Sequence, residues 1–227
     1  GRRCAEATIS DIAAMGGEPI GLVAAFSAAA PGPAAEHLLA GLLAAGVPLL
    51  GGDTTGAPEG TFFLALTVLG RAERPVLRSG ARPGDRVWLS GALGGAAAGL
   101  LSLEHGLELD ACERRFLAPR ARIDVGRAWA ASATAMIDVS DGLSSELHHL
   151  AAASGVRLEI DAARIPMARG IEAAGHDPLT LALGSGEEFE LLATSPVPLP
   201  GGIEIGTVVA GSGVTLDGQP LTPGGYT

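Results

Sequence analysis

Two apolar periodicities take turns along this chain, and glycine or proline marks almost every change between them. Leu38, Leu39, Leu42 and Leu43 recur at helical spacing and stop at Gly46, whereas residues 20–27, 61–72 and 203–209 are short runs rich in β-formers. This patterning predicts helices over 4–15, 33–45, 94–104, 111–117, 123–133 and 144–154. It predicts strands over 20–27, 47–50, 61–72, 86–90, 135–139, 156–160, 189–194, 203–209 and 214–216, with Asp217-Gly218 as a hairpin turn. The alternation lacks strict βαβ regularity, so the expected class is α/β or α+β, a sandwich of sheet under helices. Break signals cluster in Arg78-Ser79-Gly80-Ala81-Arg82-Pro83-Gly84-Asp85, predicting a boundary between a domain over 1–76 and an α/β domain over 77–227.

Composition narrows what such a fold can do. Apolar residues make up 47% of the chain but aromatics only 4%, so the core must be built from Ala, Leu, Val and Ile. The formal net charge is −10, and the 15 basic residues are all arginine and scattered. Nucleic-acid binding depends on clustered positive charge, and no basic stripe exists here. An acidic protein can still hold a phosphorylated ligand when metal ions bridge the like charges. Cys4 and Cys112 have no metal-ligand spacing and read as buried free thiols, which predicts a cytoplasmic protein. No apolar run reaches about 18 residues, so no membrane span is expected. The opening Gly1-Arg2-Arg3, without methionine or signal sequence, predicts a chain that starts partway through a longer protein.

The chemistry-bearing segments are acidic and lie where strands or helices are expected to meet glycine-rich turns. Asp11 lies in Ser10-Asp11-Ile12-Ala13-Ala14-Met15-Gly16-Gly17, Asp53 in Gly51-Gly52-Asp53-Thr54-Thr55, and Asp138 and Asp141 in Asp138-Val139-Ser140-Asp141-Gly142-Leu143. Carboxylates are hard oxygen ligands suited to Mg²⁺, and flanking glycines let backbone N–H groups approach phosphates. Asp before Gly is also an ordinary turn pair or helix cap, which fits Asp141 taken alone. Asp11 taken alone fits a solvated helix face, Arg78 an exposed turn arginine, and Glu187 beside Glu188 and Glu190 an acidic rim before a strand.

Taken together, five segments resemble the thiamine-monophosphate kinases: Ser10 to Pro19, Gly51 to Thr55, Leu77 to Asp85, Ile137 to Leu143, and Gly184-Ser185-Gly186-Glu187-Glu188-Phe189-Glu190-Leu191. The resemblance implies the aminoimidazole-ribonucleotide-synthetase-like (PurM-like) fold. In it a half-barrel N-terminal domain binds ATP and forms a homodimer, and the active site lies between domains near the dimer interface. It further implies transfer of the ATP γ-phosphoryl group to thiamine phosphate with several Mg²⁺ ions. Asp11, Asp53, Asp138 and Asp141 would hold metal, with Asp53 and Asp141 catalytic. Gly52, Asp53, Arg78 and Ser140 would contact ATP, and Glu187 and Tyr226 thiamine phosphate. Phosphoryl transfer needs positioning and charge neutralisation more than covalent help, which suits such a set. The family's Gly-Asp-Asp-Ala segment, which precedes these motifs, is absent here. Ser185, Glu188 and Phe189 also depart from its Gly-Gly-Glu-Asp-Tyr-Glu-Leu pattern. Other ATP-using enzymes of the fold group, or a non-catalytic nucleotide-binding relative, stay open on the residues alone.

Overall fold

The computed structural model describes residues 1–29 and 32–225. Helix α1 (Arg2–Ala14) forms because Ala5, Ile9 and Ala13 recur every four residues and make one buried stripe. It stops where Gly16 takes a left-handed φ of 68° and the Gly17 N–H turns back to the Ile12 carbonyl. The stripe touches two different cores. Ala5 and Ile9 pack with Leu22, Phe26, Leu38 and Leu42, whereas Ala13 and Ala14 pack with Trp88, Trp129, Met136 and Leu191.

The first core belongs to a three-stranded sheet of order β2-β1-β3, built from β1 (Glu18–Ala28), β2 (Leu49–Gly56) and β3 (Phe62–Arg71). Helix α2 (Pro33–Leu43) connects β1 to its parallel neighbour β2, and β3 returns antiparallel to β1. Alternation sends Leu22, Ala24 and Phe26 of β1 and Leu64, Leu66 and Val68 of β3 toward the helices. The opposite face carries Val23, Phe63 and Leu69, and Leu50 lies over Gly21. These four apolar side chains are all exposed, Phe63 at 61%.

The Gly51-Gly52-Asp53-Thr54-Thr55 segment differs from its expected place at a turn: it is extended and inside β2, paired with Val23 to Ser27. Its second glycine serves backbone approach. A Cβ on Gly52 would lie 1.9 Å from the Ala24 carbonyl oxygen, so β2 cannot sit in register beside β1 with any larger residue. Gly52→Ala should therefore destabilise the protein by about 1–3 kcal/mol, the usual cost of forced overpacking, measured as a lowered thermal melting point.

The second core surrounds a seven-stranded sheet of order β10-β9-β6-β8-β4-β7-β5. Its strands are β4 (Arg86–Leu89), β5 (Ala135–Asp138), β6 (Arg157–Ile160), β7 (Leu191–Ser195), β8 (Ile203–Val209), β9 (Gly213–Leu216) and β10 (Gln219–Pro220). All pairs are antiparallel except β6–β9. Among the described residues, α-helices α3 (Gly95–His105), α4 (Asp110–Leu117), α5 (Ile123–Trp129), α6 (Leu143–Ser154) and α7 (Pro178–Gly184) accompany it. One face packs Val87, Leu89 and Ile137 on Leu143, Leu147 and Leu150 of α6. The other packs Trp88 and Met136 on Trp129 of α5 and the end of α1. The mixed α/β class with two sheets agrees with expectation. Asp217 and Gly218, both at positive φ, make the expected turn between β9 and β10.

Candidate active site

The seam where α1 meets the edge of the large sheet opens a cleft of about 390 Å³, lined among others by Asp11, Met15, Val76, Arg78, Met136 and Asp138. Each wall has a local cause. Asp138 ends β5, and the neighbouring β7 pairing carries it to the sheet's rim. The segment after β3 is laid against that edge by the Met136 N–H, which donates to the Leu77 carbonyl at 3.0 Å. Ser154 at the end of α6 donates to the Arg78 carbonyl at 3.3 Å, so Arg78 is presented beside the cleft.

Asp138 is only 3% exposed, and the Ser10 hydroxyl donates to it at 2.6 Å. Burial pushes its carboxyl up to about 6; the Ser10 bond opposes this, while Asp11 and Glu146 add to it. The cleft therefore concentrates negative charge with too little solvation to support it.

Past Asp138 the chain turns into α6. Glu146, buried at 1% exposure, accepts from the Asp141 N–H at 3.2 Å and the Ser140 hydroxyl at 3.4 Å. It thereby fixes the loop that presents Asp141, which is exposed. Glu187 sits beside this loop: its N–H donates to the Ser140 carbonyl at 2.7 Å, and its carboxylate pairs with Arg3 of α1. Asp53 and Gly52 lie elsewhere, along a separate groove of about 400 Å³ between β2 and α2. Tyr226 lies outside the described residues.

The expected site residues thus divide. Asp11, Asp138 and Arg78 share one cleft, Ser140, Asp141 and Glu187 adjoin its rim, and Gly52 and Asp53 stand apart. Among the described residues of one chain, no three His, Cys, Asp or Glu side chains are placed to hold a common metal ion. Two features escaped sequence reasoning. Glu146 looked like one more residue on a helix, and Glu188 and Glu190 looked like an exposed rim, yet they are 5% and 0% exposed. No local pattern marked them, because they precede β7 on a segment where Phe189 takes a left-handed φ and Phe189 and Leu191 are buried as well.

The comparisons with known proteins bear on what this cleft is. Residues 1–72 match the family described as AIR synthase related protein, N-terminal domain, and residues 82–198 match AIR synthase related protein, C-terminal domain. A thiamine-monophosphate kinase of Halobacterium salinarum is 37% identical over 244 aligned positions, covering 100% of this chain and 83% of that protein. A thiamine-monophosphate kinase of Pyrococcus abyssi is 39% identical, covering 86% of this chain and 65% of that protein. The solved structure of AaThiL complexed with AMPPCP and TMP superposes with a TM-score of 0.91 at 31% identity, covering 99% of this chain and 80% of that one. Both halves of the fold and relatives of this identity across the whole chain lead to one assignment: the protein belongs to the thiamine-monophosphate kinase family.

Proposed function

We propose that this protein transfers the γ-phosphoryl group of ATP to thiamine phosphate in the cleft between α1 and β5. The observation that carries the reading is the pairing of Asp11 with a buried, cation-starved Asp138 beside Arg78 in one cavity. The likeness to a relative solved with AMPPCP and TMP supports the two substrates.

The donor set fits Mg²⁺. It consists of hard carboxylate oxygens, and the buried Asp138 carboxyl, pushed up to about 6, lacks the countercharge that a divalent cation supplies. Asp11 and Asp138 would hold Mg²⁺, with Asp53 and Asp141 as further ligands. Bound Mg²⁺ would neutralise the phosphate charge that builds during transfer. The chain's own groups do the rest. Arg78 and the Ser140 hydroxyl orient ATP, Gly52 joins them where a second copy brings β2 to the site, and Glu187 and Tyr226 bind thiamine phosphate.

A homodimer belongs to the same proposal. The apolar outer face of the small sheet supports it, and so does the position of Asp53, which needs a second copy or further chain to join a common site. A boundary between 76 and 77, separating the domain that carries each sheet, also belongs to it. No helix among the described residues is long and apolar enough to cross a membrane. The thiols are free as expected, but only Cys112 is buried and Cys4 is exposed; free thiols support a cytoplasmic location.

The test is a coupled assay of ADP release. Release should require thiamine phosphate, stop when EDTA removes divalent cations, and return when Mg²⁺ is restored. Release with a different acceptor and none with thiamine phosphate would overturn the assignment.

A further inference from the structure

The segment 184–190 follows an unusual path. Glu187 and Phe189 both adopt left-handed backbone, with φ of 57° and 52°, although neither is glycine. Such conformations persist only where the surroundings over-determine them. On one side the N–H groups of Glu187 and Phe189 donate to the Ser140 and Val139 carbonyls at 2.7 and 2.9 Å. On the other side Glu188 and Glu190 turn inward, with side chains 0% and 1% exposed.

Two arginines meet them. Arg122, just before α5, grips both Glu190 carboxylate oxygens, one through Nε at 2.9 Å. Arg115 of α4 reaches Glu188 at 3.2 Å and Glu190 at 3.4 Å. Hydroxyls and amides complete the set: Ser90 donates to Glu190 at 2.5 Å, and Ser185 and the Ala96 N–H donate to Glu188 at 2.7 and 2.8 Å. The loop after β4 and the first residue of α3 make room with glycines. A Cβ on Gly91 would fall 2.7 Å from the Glu190 carboxylate, and one on Gly95 would fall 2.4 Å from Arg115 Cδ. Burial pushes the Glu188 carboxyl up, and Arg115 is the first influence opposing it. Two carboxylates against two guanidiniums make a neutral cluster, and removing either arginine strands a buried charge.

We propose that Arg115 and Arg122 are positioning residues for thiamine phosphate, which clamp Glu188 and Glu190 from behind and so hold Glu187 toward the substrate. The inference rests on the kinase reading above for the identity of the substrate. Neither arginine touches the reacting atoms; each acts through the strand end it anchors. A single-point cation would not replace Arg122, because its planar fork meets both carboxylate oxygens at once.

The test uses the full chain carrying Arg122→Met, Arg122→Lys or Arg115→Met. It reads KM for each substrate together with hydrogen–deuterium exchange of 184–191 and of β8. For Arg122→Met, KM for thiamine phosphate should rise about tenfold or more while KM for ATP stays within about threefold. Exchange at 187 and 189 should quicken about tenfold with β8 unchanged, as expected of a local opening. Arg122→Lys should fall between wild type and Met. If Arg122→Met does not fold, Arg122→Met combined with Glu190→Gln leaves no stranded charge at that pair and carries the same expectation. Three results would overturn the proposal: wild-type exchange at 187 and 189, quickened exchange with unchanged KM for thiamine phosphate, or both KM values and β8 exchange moving together. Should the wild-type protein fail to phosphorylate thiamine phosphate, the kinase reading falls, and exchange at 187 and 189 still decides whether the arginines hold the segment.

Discussion

At pH 8, Asp138→Asn is expected to melt several degrees above the wild-type protein when metal is absent and, with Mg²⁺ supplied, to lose turnover by about a thousandfold. Both effects come from one carboxylate. Burial raises the Asp138 carboxyl to about 6, against roughly 3.9 for an unfolded aspartate. The folded state therefore binds this proton more tightly than the unfolded state. Stability from the group is fully present below about pH 3.9 and is lost as pH rises through 6, leaving a deficit on the order of 3 kcal/mol in the ionised form. Asparagine removes the charge and keeps an oxygen to accept from Ser10, so most of that deficit disappears. Melting points followed from pH 4 to 8 should show the gap between variant and wild type opening with pH and nearly closing in acid. Adding Mg²⁺ should raise the wild-type melting point and leave the variant's unchanged, since ligand binding stabilises only a protein that holds the ligand. A variant that melts below wild type at pH 8 would make Asp138 a structural residue and remove the chief support for metal in the cleft.

Asp138 also shows how far the sequence could be read. Its strand was legible because 135–139 is a short apolar run, and α1 was legible from the four-residue recurrence of small apolar side chains. What no local pattern carries is the contact between Ser10 and Asp138, which exists because α1 shares its stripe between two cores. The resemblance named Asp11 and Asp138; the structure supplies the reason they line one cleft. Reading went wrong where glycine has two meanings. Gly51-Gly52-Asp53 reads as a turn, but parallel pairing with β1 makes the same glycines a demand for close backbone approach. Helix α7 passed unnoticed because it is only seven residues long, although Asp177, capping the Thr180 N–H, and Pro178 at its first turn were signals of a helix start. The buried acids of 188 and 190 were hidden for another reason. Their partners Arg115 and Arg122 lie about 70 residues earlier, and charge looks solvated until its partner is known.

If the proposed homodimer forms through the outer face of the small sheet, Phe63→Glu is expected to leave the protein monomeric at micromolar concentration and to cut turnover about a hundredfold or more, with little change in the monomer's own melting point. Phe63 is 61% exposed, so the fold of a single chain loses little packing when it is replaced. Around it, however, Val23, Leu50 and Leu69 give the outer face of the small sheet an apolar surface, and the small side chains of Ala25 and Ala65, paired across β1 and β3, lie between them. Apolar patches of this kind on a soluble chain mark surfaces that pair, and small residues at the centre let a second sheet approach closely. A carboxylate placed there would be buried without a partner, at a cost that outweighs one aromatic contact. Turnover should fall when the dimer is lost because an edge strand of the same sheet, β2, carries Asp53, which lines a groove separate from the Asp11–Asp138 cleft of its own chain. Phe63→Leu keeps the apolar surface and should keep both the dimer and most of the activity. Sedimentation and steady-state rates on the same samples decide the matter: a wild-type monomer that is fully active, or a Phe63→Glu dimer, would separate Asp53 from any pairing of this face.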